Sequence, residues 1–155
     1  MRKHKPKPRV LTPDPRYNDE MVTRFVNNMM WEGKKSVAFR IFYKALDIVK
    51  ARTNEDELQV WKKALQNVMP LVEVRSRRIG GATFQIPTEL PANRRISIGM
   101  KWLIRYARAR SGKGMAEKLA AEIIAASKGE GNAVKKRDDT HKMAESNRAF
   151  AHFRV

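Results

Sequence analysis

The sequence has 155 residues, a length typical of one domain with a single hydrophobic core. Its 33 lysines and arginines outnumber 16 aspartates and glutamates, and the net charge of +17 predicts a polyanionic partner such as a nucleic acid, heparin or an anionic membrane. The lack of cysteine excludes disulfide bonds, thiolate metal sites and cysteine nucleophiles, and it fits an intracellular protein.

Residues 1–17 form a basic, proline-rich arm. Its prolines prevent a helix of useful length, because proline removes a hydrogen-bond donor and restricts the residue before it. Its cations precede the first acid, Asp14, which predicts either a flexible segment that becomes ordered on nucleic acid or a disordered tail that only aids solubility. The cations of the arm are Arg2, Lys3, Lys5, Lys7 and Arg9.

Residues 18–155 are predicted to form one mainly helical domain, a bundle of about six helices. Apolar residues recur at helical spacing in residues 19–32, which Asn18 or Asp19 can cap and Gly33 ends. The stripe is rich in methionine, which also occurs in promiscuous binding grooves, but core packing is the favoured interpretation.

The next two helices follow at once. One is predicted at residues 36–52, with Ser36 as its cap. The other begins at Asn54, where Glu57 three residues later has the spacing of a capping box, and Pro70 stops it.

Residues 72–88 are predicted to form a β-hairpin that protrudes from the helical bundle. Two short β-runs flank Gly80-Gly81, and a tight hairpin turn needs positive φ angles that glycine adopts at little steric cost. An isolated two-stranded hairpin is marginal in water, so a hairpin of this length needs a surface to rest on.

A two-residue turn fixes the register of this hairpin. It places Arg77 opposite Phe84 and Arg75 opposite Ile86, with Arg78 close to the tip. Arginine binds phosphate through forked donors, and both guanidinium and phenyl planes stack on bases. The hairpin is therefore predicted to be an interaction surface, with a solvated ribbon as the alternative.

Beyond the hairpin, helices are predicted at residues 93–110 and 115–127, and a last helix follows a basic cluster and extends to about Phe150. We expect Met143, Ala144 and Phe150 to dock the last helix on the core. In the first of these helices, Trp102 and Tyr106 lie beside a row of cations.

Two helical sites carry cations without interleaved acids. Lys34 and Lys35 precede a helix whose dipole they oppose, so either a phosphate lies near this helix N-terminus or the turn is simply exposed. Cations on one face of the helix at residues 93–110 repel one another, which favours phosphate binding over a merely solvated face. This row consists of Arg94, Lys101, Arg105 and Arg108.

No catalytic constellation is evident. The three histidines are scattered, no metal-binding HExxH spacing occurs, and Ser111-Gly112-Lys113-Gly114 lacks the spaced glycines of a nucleotide-binding loop. The sequence therefore predicts a binding protein without cofactor, metal or small-molecule substrate. No apolar run has the length of a membrane span, and the proline-rich start is unlike a signal peptide.

Four segments, in order, resemble one known family over nearly the whole chain. They are PDP at residues 13–15, FVNNMMWEGKK at 25–35, VEVRSRRIGGATFQIP at 72–87 and AVKKRDDTHKMAESNRAFAHFR at 133–154. The chain resembles bacterial small-subunit ribosomal protein seven. The resemblance implies a helical bundle with a protruding hairpin and a cytoplasmic protein of the small ribosomal subunit.

The resemblance also implies a specific role. Members of this family bind the 3′ major domain of small-subunit rRNA early and nucleate assembly of the subunit head. They lie at the subunit interface near the decoding centre, with the hairpin close to exit-site tRNA and the mRNA path. Small-subunit proteins nine and eleven are the expected neighbours.

The family's RNA-binding surface can be transferred to this chain residue by residue. The implied positions lie in the arm, at the start of the second helix, on the hairpin, on the fourth helix and in the C-terminal segment. They are Arg2, Lys3, Lys5, Lys7, Arg9, Lys34, Lys35, Arg75, Arg77, Arg78, Phe84, Arg94, Arg95, Lys101, Arg105, Arg108, Lys135, Lys136, Arg137 and Arg154.

Two rival functions are compatible with the charge. A DNA-binding or architectural protein would prefer duplex DNA, with a helix in the major groove or the hairpin in the minor groove. An RNA-modifying or RNA-hydrolysing enzyme would turn over an RNA substrate and would need a cofactor or a metal. No unpacked amphipathic helix argues for binding to an anionic membrane.

Overall fold

The computed structural model describes His4 and residues 6–153, and within them it has six α-helices, one two-stranded sheet and a short 3₁₀ segment. The predicted mainly helical bundle with a β-hairpin is confirmed. In chain order the elements are α1 (Glu20–Met29), α2 (Lys35–Thr53), α3 (Glu57–Val68), β1 (Val72–Ile79), β2 (Ala82–Glu89), α4 (Ala92–Ala109), α5 (Met115–Ser127), α6 (Asn132–Ser146) and the 3₁₀ segment (Arg148–Phe153).

The core forms around α5, which packs against α2, α3, α4 and α6. Its sequence supplies a face of small and branched apolar residues, and Leu119 and Ile123 are completely buried. Within the same core, the rings of Phe25, Phe42 and Trp61 pack with centroids 5.4 to 5.5 Å apart. Burial of each such large side chain contributes about 1.5–3 kcal/mol.

Helix α1 begins as predicted but ends earlier. Asp19 caps it, because its carboxylate accepts a hydrogen bond from the backbone N–H of Met21 at 2.8 Å. The predicted end at residues 32–33 is wrong, since the chain becomes extended at Met30. Glu32 and Gly33 then take positive φ angles in the connection to α2.

The predicted caps of the next two helices are also wrong. Ser36 lies inside the first turn of α2, which Lys34 precedes without a side-chain cap. Asn54 adopts a left-handed conformation (φ 54°) and ends α2 instead of starting α3. The cap of α3 is Asp56, whose carboxylate accepts from the backbone N–H of Leu58 at 3.1 Å.

The second half of the N-terminal arm is fixed to the helical body by Asp14, which is only 2% exposed. Its carboxylate accepts hydrogen bonds from the backbone N–H groups of Arg16 (3.1 Å), Tyr17 (2.9 Å) and Asp19 (2.9 Å), and from the Tyr43 hydroxyl (2.9 Å). Burial and this last hydrogen bond raise the pKa of Tyr43 to about 12, so its hydroxyl remains a donor at neutral pH. The division into an arm of residues 1–17 and a helical domain of residues 18–155 stays a prediction.

A buried carboxylate of α5 holds the start of α6. Glu122 is fully buried, and its carboxylate pairs with the guanidinium of Arg110 and accepts from the backbone N–H of Ala133 at 3.0 Å. Gly131 precedes α6 with φ 91°, and a Cβ atom there would lie 3.2 Å from the Glu122 Oε1 atom. Glycine offers no cap of its own, so Glu122 satisfies this helix end from a neighbouring helix.

The hairpin has the predicted register. Arg77 pairs with Phe84, Arg75 pairs with Ile86, and Gly80-Gly81 form the two-residue turn, both with positive φ angles. Its strands pack against α6 and the 3₁₀ segment. The surface on which the hairpin rests is therefore the C-terminal part of the chain.

The predicted docking of the last helix is correct only at Ala144, which is buried. Met143 is 45% exposed. Phe150 lies beyond α6 in the 3₁₀ segment and packs on Phe84 of the hairpin, with ring centroids 5.3 Å apart. Phe153 lies against the same ring at 5.4 Å, so these aromatic residues cover the hairpin.

A histidine joins the base of the hairpin to α6. The Nε2 atom of His141 accepts a hydrogen bond from the backbone N–H of Leu71 at 3.0 Å. Burial, and then the charge of Arg137, lower the pKa of His141. A lowered folded-state pKa means that the neutral form stabilises the fold above about pH 6.5, and that this contribution is lost as the pH falls through the folded-state value.

We therefore expect acidification from pH 7.5 to pH 5 to loosen the base of the hairpin. Protonated His141 has no acceptor for the Leu71 N–H, so the protection factor of that amide against hydrogen exchange should fall. The His141→Ala variant should show low protection at both pH values. Equal wild-type protection at both pH values, after correction for intrinsic exchange rates, would contradict this role.

Candidate nucleic-acid interface

The outer face of α4 presents a pair of unpartnered cations. Lys101 and Arg105 are exposed and lie four residues apart, and neither has a hydrogen bond or ion pair within the described part of the chain. The opposite face of α4 is buried through Met100, Leu103 and Ala107. The core therefore holds these two cations on a rigid helix that faces solvent.

The other two cations of the predicted row are engaged with the protein. Arg94 lies 3.4 Å from a carboxylate oxygen of Glu73 on β1. Arg108 is half-buried, donates to the backbone carbonyl of Met29 at 2.8 Å and lies over the ring of Trp31, with 4.5 Å between its Cζ atom and the ring centroid. Arg95 is also half-buried. Arg94 remains exposed, so the predicted row of four cations has three exposed members, of which only Lys101 and Arg105 lack a partner among the described residues.

The hairpin arginines also divide into two that contact the protein and one that does not. The Arg75 side chain pairs with Glu73 at 2.7 Å, and Arg77 donates to the backbone carbonyl of Phe153 at 3.1 Å. Arg78, next to the tip, is exposed and has no partner among the described residues. Phe84 is half-buried by the C-terminal rings, so its predicted stacking on a base stays a prediction that requires these rings to move.

The basic cluster of α6 faces partly inward. Arg137 forms two hydrogen bonds with Asp138, at 2.9 and 2.7 Å, and donates to the backbone carbonyl of Asn67. This arginine ties α6 to α3. Lys135 is exposed and Lys136 is half-buried, and neither ammonium group has a partner within the residues that the structure describes.

The start of α2 combines cations with unoccupied backbone donors. Lys34 pairs with Glu32 at 2.7 Å, whereas the Lys35 ammonium lies 5.8 Å from the ring centroid of Phe39. No side chain caps this helix end, and its first turn contains no acid. The first N–H of the helix, that of Lys35, donates to the Gly33 carbonyl at 2.8 Å, whereas the next two N–H groups have no partner among the described residues. These two N–H groups are open to an acceptor from outside the chain.

Only some of the RNA-binding residues predicted near the two ends of the chain lie among the residues that the structure describes. Lys7 and Arg9 are exposed. Arg2, Lys3, Lys5 and Arg154 lie outside the described residues.

A groove beside Trp31 was missed by the sequence analysis. It has a volume of about 670 Å³ and opens between the α1–α2 connection, the end of α4 and the loop before α5. Trp31 is 68% exposed, which is unusual for so large an apolar side chain. The sequence signal that could have indicated this groove is a tryptophan close to a lysine pair in the connection between two helices. We call this feature the Trp31 groove; its lining includes Met30, Trp31, Val37, Ile41, Arg108 and Met115.

Two classes of site are not seen in the described part of the chain. His4 and residues 6–153 contain no group of three or more histidine, aspartate or glutamate side chains placed to hold a metal ion. None of the helices in these residues is both long enough and apolar enough to cross a membrane.

A rigid helical body with outward cations on α4, the hairpin tip and α6 defines a nucleic-acid-binding protein of the scaffold type. The family model described as "Ribosomal protein S7p/S5e" matches residues 1–148. The chain is also similar to curated bacterial proteins named "Small ribosomal subunit protein uS7". The protein of Cytophaga hutchinsonii is 64% identical over 154 residues, covering 99% of each chain.

The similarity extends to other bacteria. The protein of the same name from Flavobacterium johnsoniae is 63% identical over 157 residues, covering 99% of each chain, and that of Salinibacter ruber is 58% identical over 153 residues, covering 98% of each. The chain belongs to the ribosomal protein S7p/S5e family. It is a structural, non-enzymatic protein of the small ribosomal subunit, where it binds rRNA and other ribosomal proteins and serves translation in the cytoplasm.

Proposed function

We propose that this chain binds the 3′ major domain of small-subunit rRNA directly and nucleates folding of the subunit head. The observation that carries the proposal is the exposed, unpartnered pair Lys101 and Arg105 on a helix whose opposite face is locked in the core. Arg78 on the hairpin and Lys135 on α6 present further cations from the same body. One rigid protein can therefore neutralise phosphates of several RNA helices at once.

The mechanism is a shift of the RNA folding equilibrium. A protein that binds the native junction more tightly than alternative folds stabilises the native junction by that difference in binding free energy. Recognition is by shape, phosphates and unstacked bases, because the deep groove of A-form RNA is closed to side chains. The hairpin tip lies towards exit-site tRNA and the mRNA path, and small-subunit proteins nine and eleven are the neighbours in this proposal.

The first test is binding of a 3′ major domain transcript over a range of salt concentrations. If about eight phosphates are neutralised, the log–log slope of affinity against salt is on the order of −6. Unrelated RNA of equal length and duplex DNA serve as competitors. Binding that every polyanion displaces equally well would contradict the specific assignment, and a preference for duplex DNA would favour the architectural alternative.

The Lys101→Gln/Arg105→Gln variant is expected to bind the transcript more weakly, with a salt slope less steep by about 1.5, because two phosphate contacts are lost. The matched control is Arg52→Gln/Lys63→Gln, which removes the same charge from exposed positions of α2 and α3. Equal weakening of both variants would show that net charge alone decides binding.

A further inference from the structure

We infer that the Trp31 groove binds a single unstacked nucleobase of the RNA, with the attached phosphate on the cationic rim of the groove. This inference rests on the proposed RNA-binding function and adds to it a specific pocket for one nucleotide.

The groove exposes apolar surface that a nucleobase can cover. Trp31 is 68% and Val37 is 44% exposed, and Met30, Ile41 and Met115 are half-buried beside them. The volume of about 670 Å³ lies within the range of roughly 300–1,000 Å³ that small-ligand sites occupy. A flat aromatic ring that enters this groove would displace water from these side chains.

The aromatic platform is held in place before any ligand arrives. The Arg108 guanidinium lies over the Trp31 ring at 4.5 Å, and its hydrogen bond of 2.8 Å to the Met29 carbonyl fixes its position. Indole rings and guanidinium planes are the protein groups on which unpaired RNA bases stack. Because these side chains are already ordered, binding costs little additional conformational entropy.

The charge of the rim matches a nucleotide better than an apolar peptide. Lys34, Lys113, Lys118 and Arg108 line the groove, whereas its one acidic side chain, Glu32, is already paired with Lys34. An apolar peptide would cover the floor of the groove but leave Lys113, Lys118 and Arg108 without an anionic partner. A nucleotide joins a flat apolar ring to a phosphate, so it satisfies both parts of the groove together.

The loop before α5 gives a phosphate room to approach. Gly114 has no atom within 4 Å of the position that a Cβ would occupy, so the backbone there is open on its side-chain face. The neighbouring Lys113 is exposed and has no hydrogen bond or ion pair among the residues that the structure describes. An uncovered stretch of backbone and an unpaired ammonium group therefore lie on the same rim.

The test compares Trp31→Ala, Trp31→Phe and the control Met143→Ala, which truncates an exposed apolar side chain on α6. The probe is the 3′ major domain transcript, with affinity and nucleotide-resolved chemical footprinting as the two measurements. Loss of one stacked base weakens binding roughly 5- to 150-fold. We expect this loss for Trp31→Ala, together with loss of protection at one unpaired nucleotide, whereas Trp31→Phe and Met143→Ala retain both.

A second variant tests the rim without altering the ring. The Lys113→Gln/Lys118→Gln variant should bind the transcript with lower affinity and should leave the same nucleotide exposed to the chemical probe. If wild-type protein binds the transcript specifically but Trp31→Ala leaves affinity and footprint unchanged, the nucleobase pocket is wrong and the proposed function stands. If wild-type protein shows no preference for the transcript, the proposed function itself fails.

Discussion

The free energy of unfolding of the Glu122→Ala variant is expected to be about 3–5 kcal/mol lower than that of wild type, which is the cost of breaking a buried ion pair by removing one partner. Two groups lose their partner at once, namely the Arg110 guanidinium and the backbone N–H of Ala133. For a chain of this size each kcal/mol shifts the melting temperature by about 2–4 °C, so the loss should be close to 10 °C. Urea denaturation monitored by circular dichroism measures the change in the free energy of unfolding.

The control for this variant lies on the same helix. Glu117 is exposed in the first turn of α5, so Glu117→Ala should change the free energy of unfolding by less than about 1 kcal/mol. Glu122→Gln should fall between the two, because its amide oxygen can still accept from Ala133 but carries no charge. If Glu122→Ala and Glu117→Ala cost the same, the buried pair does not hold α6 to the core.

The Asp14→Ala variant should lose about 3 kcal/mol of stability. The substitution leaves three backbone N–H groups and the Tyr43 hydroxyl without their acceptor in a site that is 2% exposed, and unsatisfied buried donors cost more than the net value of a hydrogen bond. These hydrogen bonds join the arm to α1 and α2, so the substitution should also release the arm and make it more sensitive to proteolysis. Chemical denaturation and timed proteolysis measure the two effects.

Two substitutions control this experiment. Asp139→Ala removes an exposed carboxylate from α6 and should leave stability within about 0.5 kcal/mol of wild type. Tyr43→Phe removes one of the four hydrogen bonds and should cost about 1 kcal/mol. An Asp14→Ala variant as stable and as protease-resistant as Asp139→Ala would show that the carboxylate does not anchor the arm.

Features with a local cause were predictable from the sequence. The register of the hairpin follows from Gly80-Gly81 and the alternation of β1 and β2, because a two-residue turn fixes which residues face each other. The bounds of α5 follow from a glycine-bounded apolar stripe. Helix ends with two competing candidates were not predictable: Asn54 has the residue type of a cap, but its left-handed conformation ends α2, and Asp56 caps α3 instead.

The candidate interface was predictable in type but not in the direction of each side chain. Arg108 and Arg137 are strongly basic in the sequence, yet each donates to a backbone carbonyl that is 79 or 70 residues away in the chain. Such pairings depend on how the helices assemble, which periodicity does not encode. Trp31 was missed for the same reason, because its exposure depends on the neighbouring ends of α4 and α5.

The aromatic cover of the hairpin affects where the protein should be labelled for experiments. Phe150 and Phe153 of the 3₁₀ segment lie against the Phe84 ring, with centroids 5.3 and 5.4 Å apart. A bulky or charged label attached within this segment would compete for the space that these rings occupy. Samples intended for studies of the hairpin should therefore carry no label between Arg148 and Phe153.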